Sequence, residues 1–294
     1  MKNRSSNKID LIAIVGPTAS GKTSYSIELA KELGGEIVSA DSRLVYRGFD
    51  IATAKPSLKE RCGVPHYMID IVEPEFDYSA ALYKDAAEKV IEDISKRGKT
   101  PILVGGTGLY IDVLLKNYQL PRIVPNRILR DKLYSLNNDE LYSLLLKKDH
   151  VAAQNIDIND KKKIIRTLEI IETAGQTLDK VRGISDSKYN VKWIGRNFER
   201  KELYERINTR VELMFENGIV DETKRLLEKH GRIANLVCTI GYKEVTGYID
   251  GLYSLEEAKE FLKQNTRRYA KRQLTWFRRN SSIEWNVYPE ILKK

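Results

Sequence analysis

Gly16-Pro17-Thr18-Ala19-Ser20-Gly21-Lys22-Thr23 follows the apolar run Leu11-Ile12-Ala13-Ile14-Val15 and leads into a helical pattern from Ser24 to Leu33. A strand, a glycine-bounded loop ending in Lys-Thr, and a helix together make a complete phosphate-binding loop. The glycines let the backbone turn its N–H groups toward phosphate oxygens, Lys22 adds a point charge, and the Thr23 hydroxyl is placed to hold Mg²⁺. A chance match to the four constrained positions in a chain of this size has a probability of about one per cent. The loop predicts a phosphorylated ligand held by Gly16, Pro17, Thr18, Ala19, Ser20, Gly21, Lys22 and Thr23.

Working outward, the next question is which strand partners the loop. A nucleotide hydrolase or kinase carries a second strand ending in an Asp that orders Mg²⁺. The best second buried run, Pro101-Ile102-Leu103-Val104, ends instead in Gly105-Gly106-Thr107-Gly108, without a carboxylate. The run Glu36-Ile37-Val38-Ser39-Ala40 does end at Asp41-Ser42. Ligands of open α/β sheets bind at strand C-termini, so Asp41 has three readings: metal ligand, base, or cap of the following turn.

The wider pattern is α/β. From residue 1 to 115, strand patterns at Leu11 to Val15, Glu36 to Ala40, Tyr67 to Ile71 and Pro101 to Val104 alternate with helical ones, including Ser79 to Lys96. That alternation predicts a phosphate-loop parallel sheet with crossover helices. Residues 116–189 turn helical and more charged, with helices expected at Arg127 to Leu136, Glu140 to Lys147 and Lys162 to Ala174; they read as an inserted helical subdomain. The chain then returns through a strand at Tyr189 to Phe198 and is helical to Arg279, so 190–294 completes the core and ends in a strand-like Ile283 to Tyr288.

Charge supplies the second clue. Fifty Lys and Arg against 41 Asp and Glu leave a net charge of +9 in 294 residues, and the excess is clustered. Lys161-Lys162-Lys163-Ile164-Ile165-Arg166 opens a helix, where cations oppose the macrodipole, so either solvation or a polyanionic partner accounts for them. A long helix from Glu256 to Arg279 buries Ala258, Leu262, Ala270, Leu274 and Phe277, and carries Lys271, Arg272 and Arg278 beside Tyr269 and Trp276. Such a mixture suits a nucleic-acid backbone with stacking positions, or else the two aromatics are core. Arg196, Arg200, Lys201, Arg206 and Arg210 either reach the phosphate loop or are solvated. No apolar run approaches the roughly 18 to 20 residues needed to span a bilayer, and Met1 to Asp10 lacks a signal core, so a cytoplasmic location is expected. Cys62 and Cys238 read as structural thiols, and His66, His150 and His230 lack metal-ligand spacing, with His66 expected in a loop.

Several separated motifs now come together: the loop at Gly16 to Thr23; Ser39-Ala40-Asp41-Ser42 with Val45 to Ile51 and Thr53-Ala54-Lys55-Pro56; Pro65-His66-Tyr67-Met68-Ile69-Asp70; Tyr78-Ser79-Ala80; Leu103 to Tyr110; Ile240 to Glu244; and Lys271 to Arg278. In these the chain resembles the bacterial tRNA dimethylallyltransferases, also called tRNA isopentenyltransferases, over nearly its whole length. The resemblance implies transfer of a dimethylallyl group from dimethylallyl diphosphate to N6 of the adenosine 3′-adjacent to the anticodon. It makes Asp41 the base that takes the N6 proton, Thr107 a hydrogen-bonding partner at the reacting centre, Thr23 the Mg²⁺ ligand, and Lys22, the loop amides and Arg210 the groups that neutralise the departing diphosphate. It implies a tRNA-contacting set of Asp41, Ser42, Arg43, Leu44, Thr107, Arg127, Lys162, Lys163, Arg166, Cys238, Gly241, Tyr242, Lys243, Lys271, Arg272, Gln273, Trp276 and Arg278.

Leu44 stands where many members have Gln, Ala52 where they have Gly, and Cys238 where they have a polar residue. No membrane or protein partner is implied, and a single-chain site makes a monomer the default. The rival readings are an ATP-binding small-molecule or nucleotide kinase, which gives the Arg-rich helix no task, and an RNA-binding module, which leaves the phosphate loop unexplained.

Overall fold

The computed structural model describes residues 8–121 and 123–288; most of the polar leader Met1 to Asp10 lies outside the described residues. Its strands are β1 (Ile9–Val15), β2 (Glu36–Ser39), β3 (His66–Tyr67), β4 (Pro101–Gly105), β5 (Tyr118–Gln119), β6 (Gly183–Ile184), β7 (Tyr189–Phe198) and β8 (Glu284–Tyr288). Six of them form one parallel sheet in the order β3-β2-β4-β1-β7-β8. β1 lies between β4 and β7, which is why Leu11, Ala13, Ile14 and Val15 are all buried: an inner strand of a parallel sheet has both faces covered.

The register positions the chemistry. Val15 pairs with Gly105 and with Gly195, and Ser39 pairs with Val104, so the phosphate loop, Asp41 and Gly106-Thr107 all leave the sheet at its C-terminal edge. Two glycines make the closeness possible. A Cβ on Gly105 would meet the Ala40 carbonyl oxygen at 2.2 Å, and one on Gly16, whose φ is +149°, would meet that of Arg196 at 2.1 Å.

β3 is shorter than the expected Tyr67 to Ile71, and His66 lies on it rather than in a loop. Met68 and Asp70 adopt left-handed φ values of 63° and 55°, which no strand tolerates. The compensation is Lys55, its side chain 5% exposed, which ion-pairs with Asp50 at 2.7 Å and with Asp70. Satisfying that buried ammonium turns the chain out of the sheet.

The chain divides into two compact units, Met1–Leu114 with Lys188–Lys294, and Leu115–Ser187. The second has the helices Arg127–Tyr134, Asn138–Lys148, His150–Gln154, Lys161–Ala174 and Leu178–Val181. Leu133, Leu141, Leu145, Ile164, Ile165 and Leu168 form its core. A fully buried Glu169 beside that core is gripped by Arg130 at 2.8 and 2.9 Å, by Arg166 and by the Asn126 N–H at 2.7 Å. The five-residue helix at His150, begun by an Asp149 cap, is too short to leave a periodic signature in sequence.

In the first unit the last helix runs Leu255–Phe277 behind a Ser254–Glu257 capping box. Its buried stripe is Ala258, Leu262, Ala270, Gln273 and Phe277. Gln273 thus takes the inward place expected of Leu274, which is only half-buried. Among the described residues, no helix is long and apolar enough to cross a membrane.

Candidate active site

A cavity of about 880 Å³ opens over the C-terminal edge of the sheet, entirely within the first unit. Its floor is the phosphate loop from Thr18 to Thr23, where the turn into the helix Lys22–Leu33 directs backbone N–H groups and the positive end of the helix dipole into one space. Lys22 Nζ folds back onto the Pro17 carbonyl at 2.5 Å, and Arg210 Nη1 donates to Thr18 Oγ1 at 3.2 Å. Arg206 donates from Nε to the Ala19 carbonyl at 3.1 Å while its guanidinium lies over the Phe198 ring. Of the basic residues of the helix Arg200–Glu216, Arg206 and Arg210 therefore reach the loop, whereas Arg200 and Lys201 are exposed.

Two cations in so small a space disturb one another. Burial, and then the Arg210 charge, push the Lys22 ammonium down to about 7, against a smaller opposing pull from Asp41. Burial likewise lowers the Arg210 guanidinium, with Asp41 and Glu60 opposing. An anion bound between them removes the penalty, so anion binding raises the Lys22 value. Above pH 7 diphosphate binding is then expected to take up close to one proton, and affinity to fall as pH climbs from 7 toward the bound-state value. Calorimetry with dimethylallyl diphosphate in buffers of different ionisation enthalpy reads this, and comparison with Lys22→Met separates the protein's proton from the ligand's own. Uptake that survives Lys22→Met would contradict the assignment.

Asp41 follows β2 into the cavity. One of its oxygens, Oδ1, accepts from the Arg43 N–H at 2.8 Å, so the turn-capping reading is correct as far as it goes. Thr107 stands beside it: its N–H donates to the Ala40 carbonyl at 3.2 Å and its Oγ1 accepts from the Ser42 N–H at 3.0 Å. Tyr269 lines the same cavity, and burial first, then Asp41, push its hydroxyl up to about 12, so it stays a neutral phenol at any working pH. Ser42, Arg43, Leu44, Cys238 and Arg272 line the same space, with Arg43 Nη1 donating to Thr239 Oγ1 at 3.3 Å.

Oxygen groups at this end are the Thr23 hydroxyl, the Asp41 carboxylate and Ser39 Oγ, a buried atom with no hydrogen-bond partner among the described residues. Among those residues no three His, Cys, Asp or Glu side chains gather as a metal cage. One carboxylate and hydroxyls suit Mg²⁺, which is commonly held by a few protein oxygens together with substrate phosphates.

The IPP transferase family pattern matches residues 44–280, well over half the chain. The chain belongs to the IPP transferase family. The tRNA dimethylallyltransferase of Macrococcus caseolyticus is 48% identical to it over 283 residues, 95% of this chain and 91% of that protein. The tRNA isopentenylpyrophosphate transferase of Bacillus halodurans, a crystal structure, is 45% identical with a TM-score of 0.72, covering 95% of this chain and 90% of that one. A eukaryotic dimethylallyltransferase acting on tRNA gives a TM-score of 0.80 at 30% identity, covering 95% of this chain and 74% of that one.

Within this IPP transferase, not every residue of the expected tRNA-contacting set faces outward. Tyr242 is wholly buried, its hydroxyl donating to Glu222 at 2.6 Å and its ring edge-on to Phe49, so it is core and cannot touch RNA. Gly241 is buried against Ala52, which a Cβ would meet at 2.7 Å; its N–H donates to Glu244. Gln273 is 5% exposed with its amide fully engaged: Oε1 accepts from the Thr18 N–H at 2.8 Å and Nε2 donates to the Gly106 carbonyl at 2.9 Å. It ties the phosphate loop to the loop bearing Thr107. Trp276 is half-buried, donating to Asp112 at 3.1 Å across Gly108.

Lys243, Lys271 and Arg278 are exposed, as are Arg127, Lys162 and Lys163 in the second unit. Arg166 is committed to Glu169 and to the Ile123 carbonyl. Lys161, first of the basic run, is spent on the Tyr134 and Leu136 carbonyls. Both cysteines are exposed, so neither packs the core as a structural thiol would. Sequence reasoning left Arg206 between reaching the loop and being solvated, and it missed Gln273 as a prop of the loop and Tyr269 as part of the cavity wall. Only Gln273 had left a legible signal, a polar residue on the apolar stripe of a helix.

Proposed function

We propose that this protein transfers a dimethylallyl group from dimethylallyl diphosphate to N6 of the adenosine 3′-adjacent to the anticodon of tRNA, releasing diphosphate. The observation that carries the reading is the meeting, at one sheet edge, of a phosphate loop with two half-buried cations, Lys22 and Arg210, and a carboxylate flanked by Thr107. The names of the relatives, tRNA dimethylallyltransferase and tRNA isopentenylpyrophosphate transferase, support it.

The chemistry follows from charge. The allylic C–O bond breaks and its electron pair leaves with the diphosphate, where Lys22, Arg210 and the loop N–H groups are aimed at the growing negative charge. The exocyclic N6 forms the new C–N bond. Its lone pair is delocalised into the purine ring, so removing a proton as the bond forms restores its reactivity. Asp41 takes that proton, using the oxygen that Arg43 does not hold. Thr107, fixed by Ser42 and the Ala40 carbonyl, holds the adenine edge against Asp41. Mg²⁺ held by Thr23 together with the substrate oxygens would offset diphosphate charge. To reach the cavity the adenosine is unstacked from the anticodon loop, and Arg43, Leu44 and Cys238 at the mouth receive it. Lys243, Lys271, Arg272 and Arg278, and Arg127, Lys162 and Lys163 of the second unit, bind phosphates of the anticodon stem-loop. The location is the cytoplasm, where tRNA is, and the protein acts as a monomer.

Affinity for tRNA is expected to fall steeply with salt, by roughly 10³-fold or more between 50 and 200 mM if six or more phosphates are neutralised. Filter binding reads the slope. A salt-independent affinity would count against the basic surface, and ATP hydrolysis in place of prenyl transfer would return the loop to a kinase.

A further inference from the structure

The cavity wall beneath the first turn of the helix Lys22–Leu33 holds two buried polar atoms without a hydrogen-bond partner among the described residues, Ser39 Oγ and His66 Nε2. They face the same side of the sheet for a reason of register. β2 and β3 pair Ile37 with His66, and Ser39 is two residues beyond Ile37, so strand alternation puts all three side chains on one face of the sheet. It is the face on which Ile37 packs against Ile27 and Ala30 of that helix. Thr23 and Ser26 of the same helix line the same cavity, and Ser26 Oγ is already used, donating to the Thr23 carbonyl at 2.8 Å.

His66 declares what it needs. Its Nδ1 lies 2.8 Å from the Val64 carbonyl. A carbonyl only accepts, so Nδ1 carries the proton, and in the neutral ring Nε2 offers a lone pair alone. Burial, with Arg61 adding to it, lowers the ring's pKa and keeps it neutral. The missing partner is therefore a donor. An ionised phosphate oxygen cannot donate, whereas water polarised by a divalent cation is a strong donor.

We propose that Ser39 and His66 form an outer-sphere seat for the divalent cation: waters bound to a cation at Thr23 donate to His66 Nε2 and Ser39 Oγ. This rests on the reading that the cation enters with the diphosphate at Thr23. Residues that orient metal-bound groups without touching the metal are typically worth about 10- to 100-fold in metal affinity.

The test uses inorganic diphosphate, titrated calorimetrically into the full chain at stepped Mg²⁺ concentrations and in Mg²⁺-free buffer, for wild type, Ser39→Ala, His66→Ala and His66→Gln. The Mg²⁺ concentration supporting half-maximal binding is expected to rise about tenfold or more in the two alanine variants, while binding without cation is unchanged. Gln places an acceptor oxygen near the position of Nε2, so His66→Gln is expected to recover most of the loss. Variants that weaken binding equally with and without Mg²⁺, or that leave the Mg²⁺ requirement unaltered, overturn the proposal while the wild type still needs the cation. A wild type indifferent to Mg²⁺ overturns the cation reading itself. Spin-echo spectra of the Mn²⁺–diphosphate complex decide the shell: a directly bound nitrogen that disappears in His66→Ala contradicts the water-mediated contact.

Discussion

Asp41→Ala is expected to fold, to bind tRNA and dimethylallyl diphosphate, and to lose transfer by about 10²- to 10⁴-fold, the usual worth of a placed general base. The companion variant Asp41→Asn makes the test sharp, because Asp41 has two duties in the structure. It caps the turn by accepting the Arg43 N–H through Oδ1, and its other oxygen makes no hydrogen bond to a described residue. Asparagine keeps an acceptor for Arg43 and cannot take a proton at neutral pH. Single-turnover rates with both substrates saturating are the measurement. Loss in both variants assigns the base; wild-type turnover in Asp41→Asn would reduce Asp41 to a cap.

Lys22→Met is expected to raise the dissociation constant for dimethylallyl diphosphate by about 10- to 100-fold, as losing a hydrogen bond to a charged group of about 1.5–3 kcal/mol implies, with tRNA affinity retained. The asymmetry is the informative part. Lys22 lies on the floor of the cavity, hydrogen-bonded to Pro17, whereas the exposed cations Lys243, Lys271 and Arg278 lie on other helices. Equilibrium binding of each substrate separately checks this. Equal weakening of both would mean that the loop binds the nucleic acid rather than the diphosphate.

The parallel sheet was legible because its strands are short apolar runs bounded by turn signals, and because the strand, loop and helix around Gly16 leave few alternatives. β3 was overestimated for a physical reason: the pair of charges that ends it, Lys55 with Asp70, is long-range and invisible to local pattern. The site was legible where a backbone motif makes it, as at Gly16 to Thr23, and at Asp41, where a carboxylate ends a strand. It was misread where a family motif serves packing. Tyr242 and Gln273 sit in distinctive stretches, yet one fills the core against Glu222 and Phe49, and the other joins two loops 255 and 167 residues away in sequence. Ser39 and His66 gave no signal of their own, since their meaning depends on which strand pairs with β2 and in what register.

The most direct measurement is to incubate the purified protein with Mg²⁺, unmodified tRNA and radiolabelled dimethylallyl diphosphate, with ATP only in a parallel tube, and to digest the tRNA to nucleosides. Label recovered as N6-prenylated adenosine without ATP, from the position 3′ of the anticodon, is the expected result. No label in tRNA, together with ATP consumption in the parallel tube, would contradict it and leave Lys22 and Arg210 serving a nucleotide instead.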